Sequence, residues 1–329
     1  MLLIVIFSYN RAMQLDFLLK SIIAKFKFPE YKISVIYHTT GSHKEGYKKV
    51  KNKYKQFINI SFLEREKQIL TINSYFKTFY SLKNIWRFLL HSYLHNRNSD
   101  NFKSLLENLL KTTDCEYVMF NTDDGYFFDE VVIPKEILTL IKSNPLQTSF
   151  RLYVGDNLDG CPDYIRRENN YYIWNYYENS TFNHWTYPFS VDGTVYYTKC
   201  VLDIIKKVPY HNPITLEGYG VEFVREKKVF KTGLSPIKSC LLGTLLNRVS
   251  TCSYNPTINL NIGFLNSKFL DDYELEIKIP TKIINVNIVP ENVYLIKENH
   301  KFSVYTFDQY GKEIQDAFGP EGTKHQLQK

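Results

Sequence analysis

Disulfide, zinc and membrane signatures are all weak in this sequence. Its five cysteines are odd in number and none forms a C-x-x-C pair, so neither a disulfide framework nor a zinc ribbon is expected. The apolar run at 2–7 is too short for a signal sequence or a membrane span. No later segment reaches about 18 uninterrupted apolar residues. These absences predict a cytoplasmic protein without a membrane-spanning helix.

Common catalytic motifs are missing too. The sequence contains no G-x-S-x-G elbow, no Walker loop and no G-x-G-x-x-G segment, so hydrolase, P-loop and dinucleotide-binding functions lack support. Tryptophan is scarce, with three residues, whereas 26 tyrosines and 23 phenylalanines bring the aromatic content to 16%. Tyrosine rings, flat with a polar edge, suit sugars and bases as well as protein cores.

The charge balance is mildly basic. The 41 basic and 34 acidic side chains give a formal charge of +7, which permits a polyanionic partner without requiring one. Several lysines lie in KEGYKKVKNKYK at 44–55. That stretch is interpreted either as a solvated helix face or as a patch that attracts anionic lipid headgroups or a phosphate-bearing substrate.

Strand and helix patterns alternate through the first 130 residues. Continuous apolar runs predict buried strands at 2–7 and 33–37, and a third strand within 116–128 that runs into two carboxylates. Helical periodicity predicts helices over 15–26, 74–95 and 102–113. This alternation is typical of an open α/β sheet with right-handed crossovers.

The second half of the chain is mixed. A helix is predicted over 131–143, a strand over 149–155 and a long polar, aromatic-rich loop over 156–190. Beyond about residue 255 the chain turns to short β-like runs. We therefore predict a main domain over 1–255 and a small β-rich extension over 256–329.

Polar side chains follow two of the predicted strands. Arg11, in SYNR, follows the first strand and is able to meet a phosphate or the edge of a base. Asp123 and Asp124 follow the third, and adjacent carboxylates there call for a cation or a donor to neutralise them. Their hard oxygen ligands suit Mg2+ or Mn2+ bridging to substrate phosphates. A solvated Asp pair in a turn is the alternative.

The ordered set of motifs resembles the GT-A glycosyltransferases that use nucleotide sugars, in particular a bacterial surface-polysaccharide branch. The motifs that carry the resemblance are IVIFSYNRAMQLDFLLKSI, SVIYHTT, NTDD, FRLYVGDN, WTYPFSVDGTVYY, NPITLEGYG and LNRVS. The sequence has NTDD where a strict motif would give Asp-x-Asp, so the resemblance leaves open which of Asp123 and Asp124 ligates the metal.

The resemblance implies a mixed, mainly parallel GT-A sheet flanked by helices. Residues 1–130 would form its nucleotide-sugar-binding half and 131–255 its acceptor-binding half. The nucleotide sugar would contact Ser8, Tyr9, Asn10, Arg11, Thr39 and Asp123. Mn2+ or Mg2+ would bind Asp123 and Asp124, and the acceptor would contact Trp185, Asp192 and Gly193.

Glu217 is the predicted catalytic base of an inverting transfer. Such a transfer needs a carboxylate on the acceptor side to take the hydroxyl proton, and the family carries an acidic residue in the NPITLEGYG motif. Asp192 is the competitor for this role. A retaining mechanism, which needs no such base, is the standing alternative.

The predicted function is metal-dependent transfer of a sugar from a nucleotide-diphosphate donor to a glycan or lipid-linked acceptor. Peripheral contact of 44–55 with the anionic inner face of a membrane is a further expectation. One alternative is a sugar-phosphate nucleotidyltransferase, although SYNRAMQ lacks the glycines of that class. The other is a basic, aromatic nucleic-acid-binding protein, which would leave the adjacent carboxylates unexplained.

Overall fold

The structure is a computed structural model of the chain. It describes residues 1–66, 85–86, 100–158, 161–179, 183–249, 257–280, 286–307 and 313–314. The helix predicted over 74–95 lies outside these residues except at positions 85 and 86.

The first half of the main sheet consists of four parallel strands in the order β3-β2-β1-β4. They are β1 (Leu2–Tyr9), β2 (Tyr31–His38), β3 (Ile60–Glu64) and β4 (Tyr117–Thr122). The helices between them are α1 (Ala12–Lys25), α2 (His43–Tyr54) and α3 (Phe102–Thr112). The three predicted strands are confirmed. β3 was not predicted, because it is short and only half-buried and so lacks a continuous apolar run.

The second half makes the nine-stranded sheet mixed. Beyond β4 the order continues β9-β6-β10-β8-β7, with β6 (Thr148–Arg151), β7 (Arg166–Glu168), β8 (Tyr171–Asn175), β9 (Thr194–Tyr197) and β10 (Thr232–Pro236). β6 and β10 are parallel, and the other pairs beyond β4 are antiparallel. The predicted loop over 156–190 therefore contains two strands. β7 is a short, exposed edge strand without apolar residues, and β8 is short and mostly half-buried, so neither shows the continuous apolar run of a buried strand.

Helices cover both faces of this sheet. Leu2, Ile4 and Ile6 belong to the cluster that includes α1, α2 and α4 (Lys135–Ser143). Leu3 and Val5 belong to the opposite cluster, with α3, α5 (Thr198–Ile205) and α6 (Pro213–Lys227). Because side chains alternate along a strand, a continuously apolar β1 can fill both layers. The predicted α/β class is confirmed.

A small sheet and a β-rich C-terminal region complete the described structure. β5 (Gly125–Phe127), β11 (Leu241–Thr244) and β13 (Asn287–Ile288) form a three-stranded sheet. After α7 (Ile262–Leu270) come the four antiparallel strands β12 (Glu274–Lys278), β14 (Asn292–Lys297), β15 (His300–Phe307) and β16 (Glu313–Ile314). Since β13 pairs with β11, chain beyond residue 256 contributes to a sheet begun before it. The domain boundary at 255 stays a prediction.

The basic stretch at 44–55 coincides with α2, and part of its charge is used inside the molecule. Lys49 pairs with Asp272 at 2.7 Å, and Lys53 pairs with the buried Asp16 at 2.9 Å. These pairs tie α2 to α1 and to the C-terminal region. No helix among the described residues is long and apolar enough to cross a membrane.

Candidate functional site

A cavity of about 900 Å³ opens where β1 and β4 end. Its walls come from the SYNR turn after β1, the Asp pair after β4, the segment before β9 and the start of α6. Seven of the residues predicted from sequence line it, namely Ser8, Tyr9, Arg11, Asp123, Asp124, Asp192 and Glu217. The open α/β sheet brings these side chains together from distant parts of the chain, as the strand-end rule predicts.

Arg11 bridges the two adjacent carboxylates. Its Nη1 lies 2.9 Å from Asp123 Oδ1 and 3.1 Å from Asp124 Oδ2. Arg11 and Asp123 are buried, whereas the Asp124 side chain is 29% exposed. Burial raises the pKa of the Asp123 carboxyl, and the Arg11 guanidinium works against that rise. One cation of the protein therefore already neutralises part of the acidic pair.

Asp123 is also the anchor of the SYNR turn. Its Oδ2 accepts hydrogen bonds from Ser8 Oγ at 2.7 Å and from the Tyr9 backbone N–H at 3.1 Å. Together with Arg11, three donors converge on this buried carboxylate. Asp124 accepts only the Arg11 bond through its side chain within the described structure, which leaves its Oδ1 available.

Asn247 holds Arg11 in this position, and the sequence analysis did not assign it to the site. Its Oδ1 accepts from Arg11 Nε at 2.8 Å, and its backbone oxygen accepts from Arg11 Nη2 at 2.5 Å. The two residues are 236 positions apart in sequence. The LNRVS motif was the only sequence feature that pointed to the Asn247 region. The contact of Asn247 with Arg11 forms because the folded chain returns to the SYNR turn.

Asn10 shapes the turn instead of lining the cavity. Its φ of 55° is left-handed, a conformation that asparagine tolerates better than most residues. Its side chain exchanges hydrogen bonds with Thr40, at 2.8 Å to Oγ1 and 2.9 Å from the backbone N–H. Thr39 is buried beside it and also lies off the cavity wall.

An aromatic wall lies next to the SYNR turn. The rings of Tyr9 and His38 stack with centroids 5.6 Å apart and planes within 7°, and both side chains line the cavity. Arg65 and Asp100, joined by a 2.5 Å ion pair, lie on the same wall. His38, Arg65 and Asp100 were not predicted as site residues. Arg65 follows β3, the strand that carried no clear pattern.

Two further carboxylates stand on the wall formed by the second half of the chain. Asp192 Oδ1 accepts from Thr122 Oγ1 at 2.7 Å and from its backbone N–H at 3.2 Å. Glu217 Oε1 accepts from the Val191 backbone N–H at 3.0 Å. Burial, reinforced by the negative charges of Glu217 and Asp124, raises the pKa of Asp192 to about 7. Carboxyls in such a setting can exchange protons near neutral pH.

The pKa of Glu217 reflects opposing influences. Burial is the strongest influence and leaves the pKa of Glu217 above its ordinary value, although the hydrogen bonds from Val191 and Ser190 and the positive charge of Arg151 oppose the rise. Glu217 lies in the second turn of α6, a helix that begins at Pro213 after the capping residue Asn212. The cap fixes the start of the helix and thereby the height of Glu217 above the sheet.

Gly193 and Trp185 support the site from behind the cavity wall. Gly193 has a φ of 53°, and a Cβ there would lie 2.2 Å from Leu241 Cδ2, so the turn that presents Asp192 requires glycine. Trp185 is 5% exposed and packs edge-on against Trp174, with centroids 5.1 Å apart. Its ring therefore belongs to the core, and its neighbours His184 and Tyr187 line the cavity instead.

The acidic pair fits a cation that arrives with a substrate. Among the described residues there is no group of three or more His, Cys, Asp or Glu side chains that could hold a metal by itself. Mg2+ is commonly held by one or two carboxylates together with substrate phosphates, and Asp124 offers a free oxygen for such a site. Asp123 is committed to its three donors. The donor set thus suits a shared cation with Asp124 as the protein ligand.

Comparison with known proteins gives one curated relative. The chain is 26% identical over 241 residues to the bifunctional glycosyltransferase pgtA of Dictyostelium discoideum. The alignment covers 64% of this chain and 30% of pgtA, so the chain spans about a third of that relative. The similarity confirms the predicted resemblance to glycosyltransferases. The chain matches no protein-family model.

Solved structures similar to this one include those of S. aureus TarS and of WbbM. S. aureus TarS 1-349 in complex with UDP-GlcNAc has a TM-score of 0.44 at 16% identity, covering 77% of this chain and 61% of TarS 1-349. The bifunctional glycosyltransferase WbbM in its apo form has a TM-score of 0.31 at 11% identity, covering 70% of this chain and 45% of WbbM.

Proposed function

We propose that this protein is a glycosyltransferase that moves a sugar from a nucleotide-diphosphate donor to a glycan or lipid-linked acceptor in surface-polysaccharide synthesis. The observation that carries the proposal is the cavity that unites Arg11 and Asp124, at parallel strand ends, with the buried carboxylates Asp192 and Glu217. The sequence similarity to pgtA supports it.

The SYNR side of the cavity is the proposed donor site. The stacked Tyr9 and His38 rings offer a flat surface for a base, and Arg11 offers positive charge beside Asp124. Asp124 is the proposed ligand of Mn2+ or Mg2+, which when bound neutralises charge on the departing diphosphate. Asp123 keeps Ser8, Tyr9 and Arg11 in place for this role.

Glu217 is the proposed base of an inverting transfer. Its Oε1 accepts from the Val191 backbone N–H, and the Ser190 and Tyr187 side chains also contact the carboxylate, which orients it toward the cavity. Asp192 remains the competitor, because its pKa of about 7 also suits a base. Asp192 accepts hydrogen bonds from Thr122, the residue just before the Asp pair, which favours Asp192 for the donor-sugar side and Glu217 for the acceptor side.

The side chains that line the cavity do not favour a nucleic-acid-binding function. Five carboxylates line the cavity, at Asp100, Asp123, Asp124, Asp192 and Glu217. Four arginines line the described part of the cavity as well, at Arg11, Arg65, Arg151 and Arg248, so its charge is mixed and it is not a continuous basic groove of the kind that follows a polynucleotide backbone. A single diphosphate can be accommodated there together with a cation. The nucleotidyltransferase alternative gains no specific support from the cavity either.

The test is a panel of nucleotide sugars incubated with Mn2+ and scored for donor hydrolysis and transfer. We expect turnover with one nucleotide class and loss of turnover in EDTA. Glu217→Gln should keep donor binding and lower kcat by about 10²–10⁴-fold. Glu222→Gln, at an exposed position on the same helix, is the matched control and should retain full activity.

Three results would count against the proposal. Turnover unaffected by EDTA would remove the metal from it. A normal Glu217→Gln variant beside an inactive Asp192→Asn variant would move the base to Asp192. A product that keeps the anomeric configuration of the donor would exclude the inverting mechanism.

A further inference from the structure

Arg151 is a buried cation at the end of β6, inside the FRLYVGDN segment. It is 2% exposed, and within the described structure it forms no ion pair with a carboxylate. Its Nη1 donates to the backbone oxygens of His184 and Tyr187, at 2.8 and 2.7 Å. Burying a guanidinium without an ionic partner is costly, so the position calls for an explanation beyond packing.

Of the two backbone oxygens that Arg151 holds, that of His184 begins the turn that forms one cavity wall, and that of Tyr187 directly follows this turn. This turn, His184–Thr186, is capped by Asn183, whose Oδ1 accepts from the backbone N–H groups of Trp185 and Thr186. His184 and Tyr187 line the cavity together with Glu217 and Arg151 itself. Arg151 therefore connects the central sheet to the wall that faces the carboxylate.

Several titratable groups face Glu217 from the elements packed around it. Within the described residues these are Arg151 at the end of β6, Tyr153 two residues later, Tyr187 after the turn, and Asp192 before β9. His184 and His211 line the same cavity. Of the four groups named first, Arg151 carries the positive charge.

We propose that Arg151 is a positioning residue of this site, whose guanidinium fixes the His184–Tyr187 wall and places a positive charge on the cavity that Glu217 lines. The inference rests on the proposed function, in which Glu217 is the base. A base must be ionised before it can take a proton, and burial alone works against that state. Burial leaves the pKa of Glu217 raised, and the charge of Arg151 is one of the influences that limit this rise.

Arg225 provides a matched control, because it holds the same wall without facing the carboxylate. Its Nη1 donates to the backbone oxygen of Thr186 at 3.2 Å, and its side chain is absent from the cavity lining. Loosening of the turn should affect both arginine variants. A change in the ionisation of Glu217 should affect only variants of Arg151.

The experiment compares pH–rate profiles of kcat/KM for the full chain carrying Arg151→Gln, Arg151→Lys or Arg225→Gln. We expect Arg151→Gln to raise the apparent pKa of the low-pH limb, which reports the base, by about 1 unit and to lower kcat at neutral pH by about 10-fold or more. Arg151→Lys keeps the charge and should restore the limb while leaving KM altered. Arg225→Gln should change KM or thermal stability and leave the limb in place.

An unmoved limb in Arg151→Gln would overturn the inference, as would an equal shift in Arg225→Gln. If Arg151→Gln does not fold, Arg151→Lys decides: an unshifted limb together with an altered KM supports the proposed role, whereas a limb shifted upward by one unit or an unchanged KM contradicts it. Failure of the proposed function looks different, since Glu217→Gln would then retain activity and its low-pH limb.

Discussion

The Arg11 guanidinium divides its hydrogen bonds between Asp123 and Asp124, and this gives two adjacent carboxylates different surroundings. Asp123 is buried and accepts three hydrogen bonds, whereas Asp124 is partly exposed and has a free oxygen. The sequence alone could not assign different roles to Asp123 and Asp124, because they are adjacent residues of the same type. The separation follows from the fold, which holds the Asp123 side chain against Ser8 and the Tyr9 backbone and leaves the Asp124 side chain partly exposed.

Substitution of Asp123 should therefore mainly reduce stability, whereas substitution of Asp124 should mainly remove the response to the metal. Asp123→Asn leaves Arg11 buried without its main counter-charge, and we expect a loss of about 3–5 kcal/mol in the free energy of unfolding. Asp124→Asn should cost less stability and abolish the stimulation of activity by Mn2+. Urea denaturation and Mn2+ titration of the two variants measure this. A stable Asp123→Asn that has lost its metal response would reverse the assignment.

Asp192 should make the stability of the protein depend on pH. Its folded-state pKa of about 7 lies above the unfolded value of about 3.9, so the native state binds the proton more tightly. The resulting stabilisation is fully present below about pH 3.9 and is lost as pH rises through 7. Asp192→Asn should thus be more stable than the wild type at pH 8 by about 1 kcal/mol or more, with a smaller difference at pH 5.

Denaturation of both proteins at pH 5 and pH 8 measures that difference. Asp203→Asn, at an exposed position on α5, serves as the control and should show no such dependence on pH. A pH-independent gain in the Asp192 variant would show that packing, and not proton binding, is responsible.

At the scale of elements, α6 owes its position to a glycine that faces the core. A Cβ at Gly220 would lie 2.5 Å from the ring of Phe189, which is fully buried and cannot withdraw. Gly218, one half-turn earlier, has no atom within 4 Å of its virtual Cβ. Close approach of α6 to the Phe189 segment brings Glu217 to Val191.

The two glycines provide a paired test on one helix. Gly220→Ala should push α6 away from Phe189 and reduce the free energy of unfolding by about 1–3 kcal/mol. Gly218→Ala should be neutral or should stabilise the helix by up to about 1 kcal/mol. Chemical denaturation of both variants decides the matter, and equal effects would disprove the packing argument.

At the scale of the whole molecule, which has a formal charge of +7, only some lysines of the basic helix α2 are available to an external partner. Lys49 and Lys53 on α2 are engaged with acidic side chains, whereas Lys44, Lys51 and Lys55 are exposed. Contact with an anionic membrane surface therefore depends on fewer lysines than the segment contains. Each lysine near such a surface contributes about 1 kcal/mol at most, and the attraction is screened by salt.

We expect the full chain to sediment with anionic vesicles at low ionic strength and to be released at high ionic strength. Replacing Lys44 and Lys55 with serine should weaken this binding several-fold. A variant with Lys228→Ser and Lys231→Ser, lysines outside α2, controls for general loss of charge. Equal partitioning onto neutral and anionic vesicles would exclude the electrostatic attachment.

The sequence by itself determined the α/β class, the first parallel strands and the meeting of SYNR with the Asp pair. Apolar runs define buried strands, and parallel strands must end at one edge, so local pattern was sufficient there. It also named Asp192 and Glu217, because each lies in a motif of the resembling family.

Only the tertiary structure decided which residues support these groups. Asn247 reaches Arg11 across 236 positions, and Arg151 meets the turn at His184 across 33, distances over which periodicity carries no information. The structure likewise assigned Trp185 to the core, since burial depends on what packs against a ring and not on its identity. Long-range packing, not local preference, fixes these contacts, because the partners of a buried polar group are chosen by whatever the folded chain brings within hydrogen-bonding distance.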